Sequence, residues 1–323
     1  MWIHQADCPE IHKTFVGSLP ESFTVVDHLF GFDQDLQNTV LQSFTQLAKQ
    51  RSTRITIKCS YFIDEDLQQC YPELDLQFAP DSCPRIHHLR QYKLHPDLDY
   101  KNFLCCFNGS GTNNNNNAHV SRKLLVSALK KFDFFDPQFC SKNFVFTKHD
   151  LDGNLQLLTK QRFDFYSKFF LLDDDQDFYG QLFPIGQTSY NHMMNIPLLE
   201  NILTQSFVHV VSETLATSFY PLISEKCFYS IVTRGLFVTF GQPGWHEHLE
   251  KYYGFRLYNK LFDYRFDTIK NPVERLIELL SMISKFQKLS AADWQDLYEL
   301  EKENIEYNYD HYFSGKYMKN LYE

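Results

Sequence analysis

The stretch from Ser206 to Gly244, SFVHVVSETLATSFYPLISEKCFYSIVTRGLFVTFGQPG, decides how the rest of the chain is read. It opens on Phe207-Val208-His209-Val210-Val211, an apolar, β-branched run of strand length. Ser212-Glu213-Thr214 follows where such a strand ends. A polar and aromatic loop leads to Ile223-Ser224-Glu225-Lys226, after which Phe228, Ile231 and Val232 recur at helical spacing. Leu236-Phe237-Val238-Thr239-Phe240 is a second apolar run, closed by the turn Gly241-Gln242-Pro243-Gly244. Strand, loop, short helix, strand and turn make a βαβ unit, and such units build parallel sheets.

In open α/β sheets the ligand crevice lies outside the carboxyl ends of the strands. The polar groups of this stretch gather there: Glu213, Ser224, Glu225, Lys226 and the backbone around Gly241 and Gly244. A lysine in the first turn of a helix opposes the helix dipole, so its replacement should cost the unliganded fold little. A bound anion such as a phosphate accounts for it; the competing reading is a surface Glu-Lys pair beside a loop. The triplet Ser224-Glu225-Lys226 sits between an apolar strand ending in Glu213 and the strand that runs into Gly241. In that setting it resembles the donor-binding segment of the fucosyltransferase-like glycosyltransferases.

The other halves of such a site lie upstream. Asn102 to Phe107 (NFLCCF) is a buried-strand candidate that runs into Asn108-Gly109-Ser110-Gly111-Thr112 and five asparagines. A helix resumes near His119, with Val120, Leu124, Leu125 and Ala128 on one face and Arg122 in its first turn. The loop has neither the GxxxxGK[ST] nor the GxGxxG spacing of phosphate-binding loops, so composition alone assigns it nothing. Asn108 and Arg122 stand where the fucosyltransferase-like pattern has an asparagine loop and an arginine bound to the donor pyrophosphate.

With 323 residues, two domains are the default expectation, and 43% hydrophobic residues supply their cores. A net charge of −9 disfavours a general nucleic-acid coat or a polybasic membrane surface. No window reaches transmembrane length, and the N-terminal MWIHQADCPEIHK has no apolar signal core, which sets a cytoplasmic expectation. The eight cysteines form no CxxC pair and read as reduced, mostly buried thiols.

Phe23 to Val26, Asp35 to Lys49 and Arg54 to Cys59 read as β-α-β, while Cys70 to Leu98, with four prolines, reads as irregular wrapping. Adjacent His87-His88 in that wrapping reads as exposed rather than metal-binding. Phe144-Val145-Phe146 is a further strand. The acidic run Asp173 to Asp177 reads as a solvated linker near a domain boundary; the alternative is a metal-holding Asp-x-Asp at the end of a strand over 169–172. Downstream, Trp245 opens a helix that Gly254 stops, and Phe255 to Tyr258 is a short strand. Asn271-Pro272 and Ser290 cap the last two helices, and the tail 304–323 is expected to pack only in part.

The resemblance implies a GT-B architecture: two Rossmann-like domains with mainly parallel sheets, placed at 1–175 (acceptor side) and 176–323 (nucleotide-sugar side). It implies a glycosyltransferase that moves a sugar from a nucleotide donor, GDP-sugar before UDP-sugar, to a glycan or other hydroxyl acceptor. The transfer would be inverting and need no metal or other cofactor. Donor contacts fall on Asn108, Arg122, Glu213, Ser224, Glu225, Lys226, Gly241 and Gly244. An inverting transfer needs a general base near the acceptor; Asp27, after the first strand, is the candidate, with Asp33, Asp64 and Glu65 as others. Two further readings stand beside this one. The first is a viral-type transferase acting on modified DNA bases, with Arg51, Arg54, Lys58, Arg85 and Arg90 as its basic cleft. The second is a non-catalytic nucleotide- or glycan-binding module of the same fold. A kinase or dehydrogenase chemistry lacks its phosphate-loop motif.

Overall fold

The computed structural model describes residues 24–27, 34–59, 65–78, 89–91, 93–94, 97–107, 120–136, 138–141, 196–213, 216, 221 and 223–319. Its first sheet is built from β1 (Thr24–Asp27), β2 (Ile55–Cys59) and β3 (Leu74–Phe78). All are parallel and in that order, with Val25 beside Ile57 and Ile57 beside Leu76. α1 (Gln34–Arg51) follows β1 and contacts β2 and β3, burying Leu41, Phe44, Leu47 and Ala48. α2 (Glu65–Cys70) leads into β3. β3 corrects the irregular reading of 70–98: LDLQF carries a strand's alternation inside a proline-bearing stretch.

The second sheet contains β4 (Asn102–Phe107), β5 (Cys140–Ser141), β6 (Ser206–Ser212) and β7 (Leu236–Phe240). It is also parallel, in the order β5-β4-β6-β7. Every residue of β6 and β7 is buried, as expected of strands covered on both faces. The chain is thus an α/β protein with parallel sheets. The expected division at residue 175 does not separate the sheets, because β4, at 102–107, hydrogen-bonds to β6, at 206–212. The change from one sheet to the other falls between Phe78 and Asn102.

Helices line this sheet. α3 (Val120–Lys131) contacts β6; α4 (Ile196–Gln205) contacts β4 and β6; α5 (Lys226–Val232) contacts β6 and β7. After β7 come α6 (Trp245–Tyr253), α7 (Pro272–Ser284), α8 (Ala291–Ser314) and the short α9 (Lys316–Lys319). Both expected caps form: Asn271 Oδ1 accepts from the Val273 and Glu274 amides, and Ser290 makes a reciprocal box with Asp293. Among the described residues no helix is long and apolar enough to cross a membrane.

One expectation is borne out and one is corrected at the C-terminal end. The tail packs by one face: α8 runs to Ser314 and buries Ile305, Tyr309 and Tyr312, Tyr317 follows them into the core, and Asp310, Ser314 and Lys316 stay exposed. Trp294, near its start, stacks on Phe207 of β6 at 5.7 Å. The segment 255–258 is not a strand. Its backbone is paired instead with side chains of α8: the Asn308 amide group accepts from Arg256 N (2.7 Å) and donates to Arg256 O (2.8 Å). Glu301 accepts from Lys260 N at 2.6 Å. A polar row on a helix does the work of a neighbouring strand.

Buried His209 of β6 fixes α4 and α5 against the sheet. Its Nε2–H donates to Leu203 O (2.8 Å), which leaves Nδ1 to accept from Ser230 Oγ (2.9 Å). Burial lowers its pKa to about 4, and that of His248 to about 3, from the ordinary 6.5. Between those values the unfolded chain binds more protons than the folded one, so stability rises with pH there. Urea midpoints are therefore expected to fall as pH is lowered from about 6.5 to about 4. A flat profile across that window would contradict the neutral buried rings.

Candidate functional site

The chain leaves β4 toward β5 on one side and, further on, leaves β6 toward β7 on the other. β4 and β6 are neighbours, so the strand order reverses between them. Crossovers of one hand then put their helices on opposite faces and open a crevice at the carboxyl ends of those two strands. α3, with Arg122 in its first turn, follows β4; Glu213 follows β6.

Glu213 is held firmly at that spot. Its amide continues the ladder by donating to Phe240 O (3.1 Å), and the residue is 2% exposed. Ser224 donates to Glu213 Oε1 through both its amide (3.1 Å) and its hydroxyl (2.8 Å). Lys226 Nζ donates to Glu213 Oε2 (3.4 Å) and to Ser224 Oγ (2.9 Å), and lies 3.8 Å from Glu225 Oε1. The Lys226 side chain is 21% exposed. Two of its three N–H bonds are thus accounted for among the described residues.

Arg122 belongs to the same cluster. Burial pulls its guanidinium below the usual range, while the charges of Glu213 and Glu225 pull it back up. Glu213 and Glu225 thus act on both cations at the switch point. The Cys227 thiol beside them is pushed well above its ordinary value by burial and by both carboxylates, which keeps it neutral. Cys105, Cys106 and Cys140 are likewise free and buried, whereas Cys70 is exposed.

Five of the expected site residues, Arg122, Glu213, Ser224, Glu225 and Lys226, are thus brought together. The geometry corrects one expectation about them: Lys226 is the ion-pair partner of a buried carboxylate, so its removal would destabilise the unliganded fold. Gly241 and Gly244 serve the scaffold beside the cluster. A Cβ on Gly241 would stand 2.6 Å from the Trp245 indole, and its carbonyl accepts from Arg275 Nε (3.1 Å). Gly244 N donates to Asp267 O at 2.8 Å. Asp27 ends β1, with its side chain outside the described residues, as is that of Glu65. Asn108, Asp33, Asp64, His87, His88, the 144–146 strand and the acidic run 173–177 also lie outside them. Among the described residues no group of three or more His, Cys, Asp or Glu side chains is placed to hold a metal ion.

Sequence reading missed two supports of the site. Arg275 is buried on the apolar side of α7 and donates to Gly241 O and Ala216 O, tying together the loops that follow β7 and β6. His246 closes the outer edge of β7: its Nε2 accepts from Thr239 N (3.1 Å), so Nδ1 carries the proton and donates to Asp267 Oδ1 (2.8 Å). An arginine interrupting an apolar helical stripe was the one available signal for Arg275. His246 and Asp267 gave none, being separated in sequence and ordinary in their own surroundings. No family model, no curated protein and no solved structure matches this chain.

Proposed function

We propose that the crevice between β4 and β6 binds the diphosphate of a nucleotide sugar and that the chain is a glycosyltransferase. The supporting observation is that Arg122 and Lys226, from distant parts of the chain, are both under the charges of Glu213 and Glu225, where the sheet order reverses. As the sugar departs, negative charge grows on the nucleoside diphosphate, and fixed cations stabilise it as it forms. The guanidinium supplies a two-pronged donor for phosphate oxygens, and the ammonium supplies a point charge. Glu225, beside both, orients ribose or sugar hydroxyls.

In this reading the second sheet is the donor side and the first sheet, with Asp27 at the end of β1, is the acceptor side. The donor is a GDP-sugar in preference to a UDP-sugar, the acceptor a glycan or other hydroxyl, and the transfer inverting and metal-independent. Together the two sheets would make the GT-B pair of Rossmann-like domains.

Thermal-shift titration with GDP, UDP, CMP and ADP in EDTA tests this. At a hundred times Kd a bound nucleotide adds about 2.7 kcal/mol to stability. Arg122→Ala is expected to weaken nucleotide binding roughly ten- to hundredfold, the value of a charge-assisted bond. If no nucleotide shifts the wild-type melt, the diphosphate reading fails. A strict manganese requirement that disappears on changing Asp173 and Asp175 to Ala would move the site to the acidic run. Binding without release of sugar to water or acceptor would leave a nucleotide-binding module.

A further inference from the structure

The geometry points to Glu213 as a positioning residue that acts on the ligand through its neighbours rather than by contact, fixing the Lys226 ammonium, together with Ser224, where a diphosphate oxygen arrives. This inference rests on the diphosphate reading of the site and specifies how the site is held ready. A carboxylate that orients ligand hydroxyls must turn lone pairs toward the ligand. Glu213 does not: Oε1 accepts two hydrogen bonds from Ser224, Oε2 accepts one from Lys226, and 2% of the residue is exposed. Its oxygens are turned into its own chain.

Those same bonds set the lysine. Ser224 Oγ gives its proton to Glu213 (2.8 Å), so its lone pairs face the Lys226 ammonium (2.9 Å) and the Lys226 amide (3.3 Å). The hydroxyl has one orientation that satisfies all three partners. A lysine on four rotatable bonds is thereby held at two points, with its third N–H left for a diphosphate oxygen on a side chain that is 21% exposed. Preorganised charge of this kind needs no rearrangement when the ligand arrives.

Glu213→Gln separates the parts. The glutamine oxygen can still accept from Ser224, so the loop keeps its anchor, while the neutral amide no longer holds the ammonium. Two measurements read the result. The first is acetylation of Lys226 by an N-hydroxysuccinimide ester, followed by mass spectrometry on the unliganded protein. The expected rate is several-fold faster in Glu213→Gln than in wild type, because the amine is released. The second is calorimetric titration with inorganic pyrophosphate in EDTA. Loss of positioning predicts binding about tenfold weaker, on the order of one charge-assisted bond. Simple charge removal predicts the opposite sign, since a negative group leaves the neighbourhood of an anion.

An unchanged acetylation rate, or pyrophosphate bound more tightly by Glu213→Gln, would overturn the assignment. Ser224→Ala guards against a Glu213 variant that fails to fold. It keeps the ion pair but removes the relay, and is expected to raise the acetylation rate and weaken pyrophosphate by a smaller factor. No change in either readout would count against positioning. If wild type binds neither pyrophosphate nor GDP, the diphosphate reading itself has failed. The acetylation comparison still decides, in that case, whether Glu213 holds the ammonium.

Discussion

Arg275→Met is expected to lower stability by at least about 3 kcal/mol, which for a chain of this size lowers the melting temperature by roughly 4–5 °C. The residue is 1% exposed, and its guanidinium is shared among backbone carbonyls rather than given to a single partner. Nε donates to Gly241 O at 3.1 Å, Nη1 to Lys270 O at 3.2 Å and also to Ile269 O, and Nη2 to Ala216 O. Methionine fills similar volume and relieves the cost of burying a charge. It leaves four carbonyls to find water or go without, at about 1–3 kcal/mol for each that stays dry. The balance is unfavourable because several carbonyls lose their donors and only one desolvation is relieved. The stacking of the guanidinium toward the Phe240 ring (5.8 Å) is lost as well.

Arg275→Lys is expected to recover little of this loss. An ammonium is a point charge that cannot reach carbonyls spread around a planar fork. Because Arg275 ties the loops after β6 and β7, the Met variant should also show a smaller nucleotide-induced shift than wild type at equal nucleotide concentration. Urea unfolding of the three proteins settles the matter. A Met variant within about 1 kcal/mol of wild type would mean that the carbonyls are hydrated and the guanidinium is dispensable.

What could be read from the sequence follows from how far each feature reaches along the chain. β6 and β7 are legible because strands buried on both faces are apolar throughout, and the runs 207–211 and 236–240 are. The caps at Asn271 and Ser290 are legible because their partners lie two or three residues away. Ser224, Glu225 and Lys226 announce themselves by being adjacent, with Glu213 marked by the strand it ends. The engagement of both Glu213 oxygens is not legible, since it depends on how the intervening loop closes. Sheet membership is not legible either: alternation of strands and helices names the elements without naming neighbours. The pairing of β4 with β6 therefore came only with the structure. The segment 255–258 has strand-like composition, and nothing local shows that its partner is the side chain of Asn308, two elements later.

Gly235→Ala is expected to cost about 3 kcal/mol or more, the upper end of what overpacking a core does. Local preference points the other way. Gly235 does not have a positive φ, so its backbone suits alanine, and such a substitution ordinarily adds about 0.4–1 kcal/mol of stability. The obstacle is His209. A Cβ on Gly235 would lie 2.0 Å from its Cε1, 2.6 Å from Nδ1 and 2.7 Å from Nε2, inside any tolerable contact. The ring cannot step aside, being held by Leu203 O on one side and Ser230 Oγ on the other. Nor can the glycine retreat easily, because its amide donates to Ser230 O at 2.8 Å and the next residue enters β7. The clash therefore forces α5 away from the sheet, and α5 begins with Lys226. A double-mutant cycle with His209→Ala isolates the cause. His209→Ala alone is destabilising, since it leaves a cavity and strands two polar partners. Once the ring is gone, adding Gly235→Ala should cost little or nothing, giving a coupling of about 3 kcal/mol. If the two losses instead add, the ring is not what forbids a side chain at 235, and the close fit of α5, β6 and β7 around His209 does not set the position of Lys226.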